Sequence, residues 1–133
     1  MKNVYLNEFL KPCGIFNLKR LGNNNDGGYL VETNSLSNAD IIISFGINDD
    51  WSFEKDFLKQ KDISLISYDA SINLKVFLRN FLYSLIRIDS PINIFNKLKT
   101  LIGYITFFRG KRVHNKHMIG YKNNGSVSIK EIF

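Results

Sequence analysis

One glycine and several carboxylates lie where two short apolar segments of the chain end. The first segment, Ile41–Phe45, runs into Gly46, and the second, residues 63–70, brings Asp69 twenty-three residues after that glycine. A glycine at the end of a strand lets the main chain turn sharply and approach a ligand closely. An acid at about this spacing accepts hydrogen bonds from the two hydroxyls of a ribose. The spacing therefore predicts a site for an adenosine-type cofactor.

The residues after Gly46 indicate which cofactor this is. A dinucleotide site needs three glycines to seat a pyrophosphate on a helix N-terminus, but Gly46 stands alone in its segment. Asp49 and Asp50 would repel phosphates, whereas they favour the sulfonium and ammonium groups of S-adenosylmethionine. Asn48 can adopt the left-handed conformation where a second glycine is usual. The alternative is that both acids are solvated turn residues and that Asp69 merely ends a strand.

The elements that position these groups form a strand–helix–strand unit. The β-branched run Ile41–Phe45 is typical of a buried strand, and residues 51–60 have helical apolar spacing with Ser52 as the N-cap. Residues 63–70 form the second strand. A strand–helix–strand unit with short connections implies parallel pairing and a right-handed crossover, so the sequence predicts an α/β fold.

The rest of the chain is mostly helical or turn-like in pattern. Apolar residues recur at three- and four-residue steps from 73 to 109, and Pro91 separates two predicted helices. Residues 110–117 are expected to form a basic turn, 117–121 a strand, and 126–133 the start of a helix capped by Ser126 or Ser128. Residues 12–28 are rich in turn formers, 29–31 suggest a short strand, and Val4–Leu10 suggests a helix or a strand.

Composition limits the remaining function classes. The 133 residues suffice for one domain, and a net charge of +6 with no accompanying motif does not by itself make a nucleic-acid-binding protein. Cys13 is the only cysteine, which excludes an internal disulfide and a multi-cysteine metal site and fits a reducing cytoplasm. The N-terminus has no signal-peptide pattern, and the apolar segment 76–88 is short and interrupted by arginines, so we expect no transmembrane segment.

Three segments together resemble the FkbM family of S-adenosylmethionine-dependent methyltransferases. They are LGNNNDGGYLV (21–31), ISFGINDDWSFEKDF (43–57) and ISYDAS (66–71), and the similarity extends over about residues 18–133. The resemblance implies a Rossmann-like class I methyltransferase that methylates an oxygen, often on a sugar or another small molecule. No metal is implied.

The resemblance also assigns residues to the cofactor. Asp69 would hold the ribose, and the segment 26–29 would lie near the amino-acid end of the cofactor. Glu54 would contact the cofactor's ammonium group or simply complement the helix dipole. The predicted cofactor-binding residues are Asp26, Gly27, Gly28, Tyr29, Ser44, Phe45, Gly46, Asn48, Asp49, Glu54 and Asp69.

Methyl transfer to a hydroxyl also needs alignment and a base. His114 and His117 are the candidates, because an unperturbed imidazole titrates near neutral pH. The cationic residues around them disfavour further positive charge, although these cations would suit an anionic acceptor. Trp51 is expected to be a packing lid.

The chain departs from the family pattern in one respect. Family members continue with a strand bearing L-K-[IV]-D-[IV]-E-G, and no such motif occurs here. We therefore expect a partial Rossmann-like parallel sheet with a helical insert, lacking the later strands. Its parts would be an N-terminal cap region (1–39), a cofactor-binding βαβ unit (40–72), the helical insert (73–110), and a third strand with the start of a helix (111–133).

Two interpretations follow from this departure. The chain is either a truncated methyltransferase or a small protein completed by a second chain that carries the missing half. In both cases the first strand would be an exposed edge with an apolar face. Under the truncated interpretation we expect weak or absent cofactor binding and no turnover by this chain alone.

A function of another class uses different residues. A small basic module would present the helices at 74–109, with their arginines and lysines, to an anionic membrane surface or a partner, and the apolar stripe would enter the lipid. This alternative makes no use of Gly46 or Asp69. The cations concerned are Arg79, Arg87, Lys97, Lys99 and Arg109.

Overall fold

The structure of the protein is a computed structural model that describes residues 14–24, 26–120 and 126–132. The predictions for Val4–Leu10 and Cys13 lie outside these residues. The elements in chain order are β1 (Leu18–Leu21), β2 (Tyr29–Glu32), α1 (Thr33–Asn38), β3 (Ile41–Phe45), α2 (Ser52–Gln60), β4 (Ser64–Tyr68), α3 (Leu74–Ile86), α4 (Pro91–Phe107), β5 (Arg112–Asn115) and a short 3-10 turn (Ile129–Glu131).

A three-stranded parallel sheet in the order β3-β4-β5 forms the centre of the molecule. The α/β class and the parallel pairing of β3 with β4 are therefore confirmed. The β1 and β2 strands form a separate antiparallel pair. Sequence patterns missed β1 and α1, because a four-residue strand and a six-residue helix carry too few apolar residues to show a period.

The central sheet is covered on one face only. Side chains alternate between the two faces of a strand, so Ile42 and Leu65 point to the covered face, where they are 6% and 0% exposed. On the opposite face Ile41, Phe45 and Val113 are 44%, 47% and 45% exposed. Within the described ranges β3 pairs with β4 alone. The expected bare edge and apolar face are thus both present in this part of the chain.

Trp51 is at the centre of an aromatic cluster between α2 and the two long helices. It is 4% exposed and contacts the rings of Phe77, Phe107 and Phe108, lying parallel to Phe107 at an interplanar angle of 18°. A Cβ added at Gly103 would lie 3.3 Å from the indole Cζ2, so this glycine allows α4 to approach closely. Trp51 is therefore a core residue, and the expectation that it forms a lid is wrong.

The third strand begins earlier than its sequence suggested. Residues 110–117 were expected to be a turn, but Arg112–Asn115 form β5, which pairs in parallel with β4 from Leu65 to Tyr68. Of the predicted strand at 117–121, Ile119 forms only a single bridge, with Val127. Val113 is the only aliphatic residue of β5, so backbone pairing with β4 selects a segment that the apolar pattern does not indicate.

The helices α3 and α4 form an antiparallel hairpin joined by residues 87–90. Asn73 caps α3 by accepting a hydrogen bond from the Val76 amide at 3.0 Å, and Pro91 opens α4 as predicted. Phe77, near the start of α3, meets Tyr104, near the end of α4, with ring centroids 5.1 Å apart.

The turn that ends α3 has glycine-like geometry without a glycine. The amide of Asp89 donates to the carbonyl of Ser84 at 3.0 Å, and the amide of Ile88 donates to that of Leu85 at 3.2 Å. This is a Schellman motif, in which the residue at the position of Ile88 is usually glycine because its φ is positive. Ile88 has a φ of 52°, which lies in the left-handed region and is unfavourable for a β-branched side chain.

Replacing Ile88 with glycine should therefore stabilise the protein. We expect Ile88→Gly to raise the free energy of unfolding by about 1 kcal/mol, because the left-handed conformation costs an L-residue about that much. The matched control is Ile86→Gly, at the last residue of α3, which should lower the free energy of unfolding by about 1 kcal/mol. Urea unfolding of both variants measures the difference, and a loss of stability in Ile88→Gly would contradict the assignment.

Candidate functional site

The ends of β3 and β4 bring the two residues singled out by spacing together. Phe45 and Tyr68 are register partners in parallel strands, so Gly46 and Asp69 follow them at the same edge of the sheet. The Gly46 amide donates to the Tyr68 carbonyl at 3.0 Å, and the Asp69 amide donates to the Asn115 carbonyl at 3.0 Å. The carboxyl ends of parallel strands are where open α/β sheets bind ligands.

The Asp69 carboxylate holds the loop after β3 in place. One oxygen accepts the Asn48 amide at 2.8 Å, and the other accepts the amide and the hydroxyl of Ser71 at 2.7 and 2.5 Å. Burial raises the pKa of Asp69, but the hydrogen bonds from Ser71 and Asn48 outweigh it and hold the pKa below its ordinary value. Three of the roughly four acceptor positions of this carboxylate are thus occupied within the protein.

Backbone conformation shapes the same loop. Asn48 has a φ of 47°, as its residue type predicted. Gly46 has a φ of 65°, and a Cβ added there would meet no described atom within 4 Å. The glycine is therefore required by conformation, and it leaves open space beside the main chain where a ligand can approach.

A cavity of about 430 Å³ opens beside this loop. Its volume lies in the range of small-molecule sites, and the described residues that line it include nine of the eleven predicted cofactor residues. Those nine are Asp26, Gly27, Tyr29, Ser44, Phe45, Gly46, Asn48, Asp49 and Glu54.

The other two predicted residues do not line the cavity. Asp69 lies under the loop, and Gly28 faces its own turn, where an added Cβ would lie 1.9 Å from the Asn23 carbonyl oxygen. Three lining residues are not on the predicted list: Ile47 and Phe53, and Asp50, whose charge the sequence analysis had already used in choosing the cofactor. Asp50 and Phe53 were detectable, since they lie within the segment 43–57 that carries the family resemblance.

The loop between β1 and β2 reaches this cavity because α2 anchors it. The Asn23 amide donates to the Ser52 hydroxyl at 3.0 Å, and its side chain donates to Asp50 at 2.7 Å. The Gly22 amide donates to Asp56 at 3.0 Å. Ser52 is therefore the first residue of α2 and a loop anchor, and its prediction as the N-cap is wrong, because Trp51 holds that position without a side-chain bond.

Glu54 is a buried carboxylate in the wall of the cavity. It lies in the first turn of α2, is 6% exposed, and accepts a hydrogen bond from the Ser44 side chain. Burial raises its pKa above the ordinary value, the Ser44 hydrogen bond opposes this, and the nearby Asp50 carboxylate raises it further. A cation bound beside Glu54 would favour the ionised form.

The charge of the cavity has one sign. Asp26, Asp49, Asp50 and Glu54 line it, and its described lining contains no lysine, arginine or histidine. Such a wall repels phosphate and attracts a cationic ligand.

The two candidate bases lie in different surroundings. The Nε2 of His114 is 3.1 Å from the Asp69 carbonyl oxygen, and its Nδ1 is 2.7 Å from the Tyr104 hydroxyl. A carbonyl only accepts, so Nε2 carries the proton, and burial lowers the His114 pKa. Neither His114 nitrogen is available to a substrate. His117 is exposed and follows the carboxyl end of β5, at the edge that carries the cavity.

Comparison of the chain with protein-family models, with curated proteins and with solved structures found no significant match in any of the three. Among the described residues, no group of three or more His, Cys, Asp or Glu side chains is arranged to hold a metal ion. No described helix is long and apolar enough to cross a bilayer.

Removing the Asp69 carboxylate should destabilise the protein. We expect Asp69→Ala to lower the free energy of unfolding by roughly 1–3 kcal/mol near neutral pH, because the amides of Asn48 and Ser71 lose their acceptor. The wild-type advantage should be present above the ordinary Asp pKa of 3.8 and should disappear as the pH falls through the lowered folded value. Asp62→Ala is the control, since that side chain is 86% exposed, and it should change stability by less than about 0.5 kcal/mol.

Replacing Glu54 should have the opposite effect. The folded pKa lies above the ordinary 4.5, so wild-type protein loses stability as the pH rises from that value toward the folded pKa. We expect Glu54→Gln to match wild type at acidic pH and to be more stable at neutral pH. Denaturant unfolding across pH measures this difference. Ser44→Ala removes the hydrogen-bond donor to Glu54, so the loss of stability with rising pH should extend over a wider pH range in that variant than in wild type. A Glu54→Gln variant with lower stability at neutral pH would contradict the prediction.

Proposed function

We propose that this chain binds S-adenosylmethionine and supplies the cofactor site of a methyltransferase. The observation that carries the proposal is the acidic cavity at the carboxyl ends of two parallel strands. Adenosine cofactors with phosphates would place negative charge against Asp49 and Asp50. S-adenosylmethionine carries a sulfonium and an ammonium group, which this wall attracts.

The residues of the cavity fit the methionine part of the cofactor. Glu54 is buried and lacks a cationic partner among the described residues of the cavity wall, so it would hold the ammonium group. Asp26 and Tyr29 come from the loop that α2 anchors, and they close the opposite side. Tyr29 also packs edge-on against Phe53, with ring centroids 5.3 Å apart, which positions its ring at the cavity.

A second cavity fits the nucleoside part. Its volume is about 150 Å³, it shares Asn48 and Asp49 with the first cavity, and it continues along Ser71 and Ile72 to α3 and α4. Asp69 accepts hydrogen bonds from Asn48 and Ser71, which both line this second cavity, and it retains about one acceptor position, enough for one ribose hydroxyl. The role proposed for Asp69 is therefore first to hold the loop and second to contact the ribose.

The bound cofactor would supply an electrophilic methyl group, and the chain would align it with an acceptor hydroxyl of a sugar or another small molecule. His117 is the better candidate base, because His114 donates to Asp69 and accepts from Tyr104. Ser44, Phe45 and Gly46 line the cavity from the unpaired edge of β3. A strand added to that edge, from a complementing chain, would bring further residues to the acceptor.

Binding of the cofactor can be tested by nuclear magnetic resonance on the isolated chain. We expect S-adenosylmethionine to shift the amide signals of Gly46, Asn48 and Glu54 with a Kd of about 0.1–1 mM, since the site lies at an unpaired sheet edge. S-adenosylhomocysteine, which lacks the sulfonium charge, should bind more weakly, and ATP should not bind. Affinity should rise with pH as Glu54 ionises, and Glu54→Gln should weaken binding about tenfold and remove that dependence.

Two results would overturn the proposal. One is the absence of cofactor-induced shifts at these residues at about 5 mM ligand. The other is binding of ATP at the same site with equal or greater affinity. Asp62→Ala, at a side chain that is 86% exposed and outside the cavity, should bind the cofactor as wild type does and serves as the control.

A further inference from the structure

The end of the α3–α4 hairpin carries an exposed apolar surface. We call residues 83–95 the hairpin tip. Five of its large apolar side chains are between 54% and 87% exposed, the most exposed being Ile88, whereas Leu85 is 44% exposed and Ile94 is partly buried. The five side chains are Tyr83 (54%), Ile86 (75%), Ile88 (87%), Ile92 (72%) and Phe95 (64%).

The tip extends beyond the hydrophobic core. The core and the residues packed on it include Phe81 in α3 and Leu101 in α4, and they include no described residue of the tip. At 1.5 Å per residue, α3 continues about 8 Å past Phe81, and α4 begins about 15 Å before Leu101. The five most exposed apolar side chains of the tip are therefore not part of the hydrophobic core.

Ile88 also has no local reason to be apolar. Its φ of 52° lies in the left-handed region, where glycine or asparagine is favoured, and its side chain is almost fully exposed. The chain thus keeps a β-branched residue at a position where it is conformationally unfavourable and unburied. A backbone outlier of this kind points to a functional constraint on the side chain.

The hairpin accounts for most of the net positive charge of the molecule. Residues 74–109 contain six lysines and arginines against the single acid Asp89, a net charge of +5 out of the +6 of the whole chain. All six cations are exposed. They are Lys75, Arg79, Arg87, Lys97, Lys99 and Arg109.

We propose that the hairpin tip inserts into the surface of an anionic phospholipid bilayer. Apolar residues beside flanking cations are the pattern of elements that lie in the membrane interface, where they bury to a depth of about 5–10 Å. The length of about 8 Å by which α3 continues past Phe81 matches that depth. A second copy of this chain is a poorer occupant, because a symmetric contact would place two hairpins of charge +5 against each other.

Vesicle co-sedimentation tests the proposal on the full chain. We expect binding to vesicles with about one-third anionic phospholipid, little binding to neutral vesicles, and loss of binding at about 0.5 M salt. The double variant Ile88→Gly/Ile92→Ser should lose at least about tenfold in affinity. Urea unfolding verifies that the double variant is folded. A loss of stability from Ile92→Ser is not expected to unfold it, because Ile88→Gly should stabilise the protein. Leu30→Ser removes a comparably exposed apolar side chain elsewhere, 62% exposed, and should bind as wild type does.

Depth is measured with an introduced tryptophan. Trp51 is the only tryptophan in the chain and is buried, so Ile92→Trp reports on the tip. Its emission should shift to the blue on anionic vesicles and be quenched by brominated acyl chains. Ile129→Trp, at another exposed position, should not respond.

Three outcomes would overturn the proposal. They are no binding to anionic vesicles, equal binding by the double variant, and self-association in sedimentation that the double variant abolishes, which would assign the tip to a second copy. The proposal is independent of the cofactor site. Glu54→Gln should bind vesicles as wild type does, so failure of one proposal is distinguishable from failure of the other.

Discussion

The carboxylate of Asp69 joins the ends of β3 and β4, and the candidate site depends on it. Parallel pairing places the two strand ends side by side, but it leaves the loop after β3 without regular hydrogen bonds. Asp69 supplies an acceptor for the Asn48 amide and is itself held by Ser71. This fixes the left-handed turn at Asn48 and, with it, the wall of the larger cavity. The structure therefore gives Asp69 a structural role at this position.

The cavity combines several features that are unfavourable for folding alone. Four carboxylates line the cavity, and one of them, Glu54, is buried with its pKa raised by desolvation and by Asp50. Carboxylates that line one cavity repel each other, and a solvated loop would not require this concentration of negative charge. Ser52, Asp50 and Asp56 anchor the β1–β2 loop through hydrogen bonds to two of its residues, Gly22 and Asn23, and this loop adds further residues to the cavity lining. A bound cation would reduce the repulsion between these carboxylates.

Apolar surface is left exposed in two places that differ in charge. The bare face of the sheet continues onto the edge of β3 that no described strand pairs with, where a further strand and its covering helices would pack. The hairpin tip contains the exposed Arg87, and the exposed Lys97 and Lys99 follow it in α4. The first surface therefore suits a protein segment that extends the sheet, and the second suits an anionic lipid surface. The two surfaces need not compete, because they lie on different elements.

Local sequence patterns determined the elements with a strong period: the buried strand Ile41–Phe45, the helix after it, the second strand, and the two helices that meet at Pro91. The acid and glycine spacing also determined that Gly46 and Asp69 share one edge, because parallel strands of equal register end together. Tertiary structure alone decided the rest. Pairing with β4 placed β5 at Arg112–Asn115, and packing buried Trp51 in the core. The Ser52 hydroxyl accepts a hydrogen bond from Asn23, and both nitrogens of His114 have hydrogen-bond partners within the protein. Those outcomes depend on hydrogen bonds and ring contacts between residues far apart in the chain, and such contacts leave no periodic signal along it.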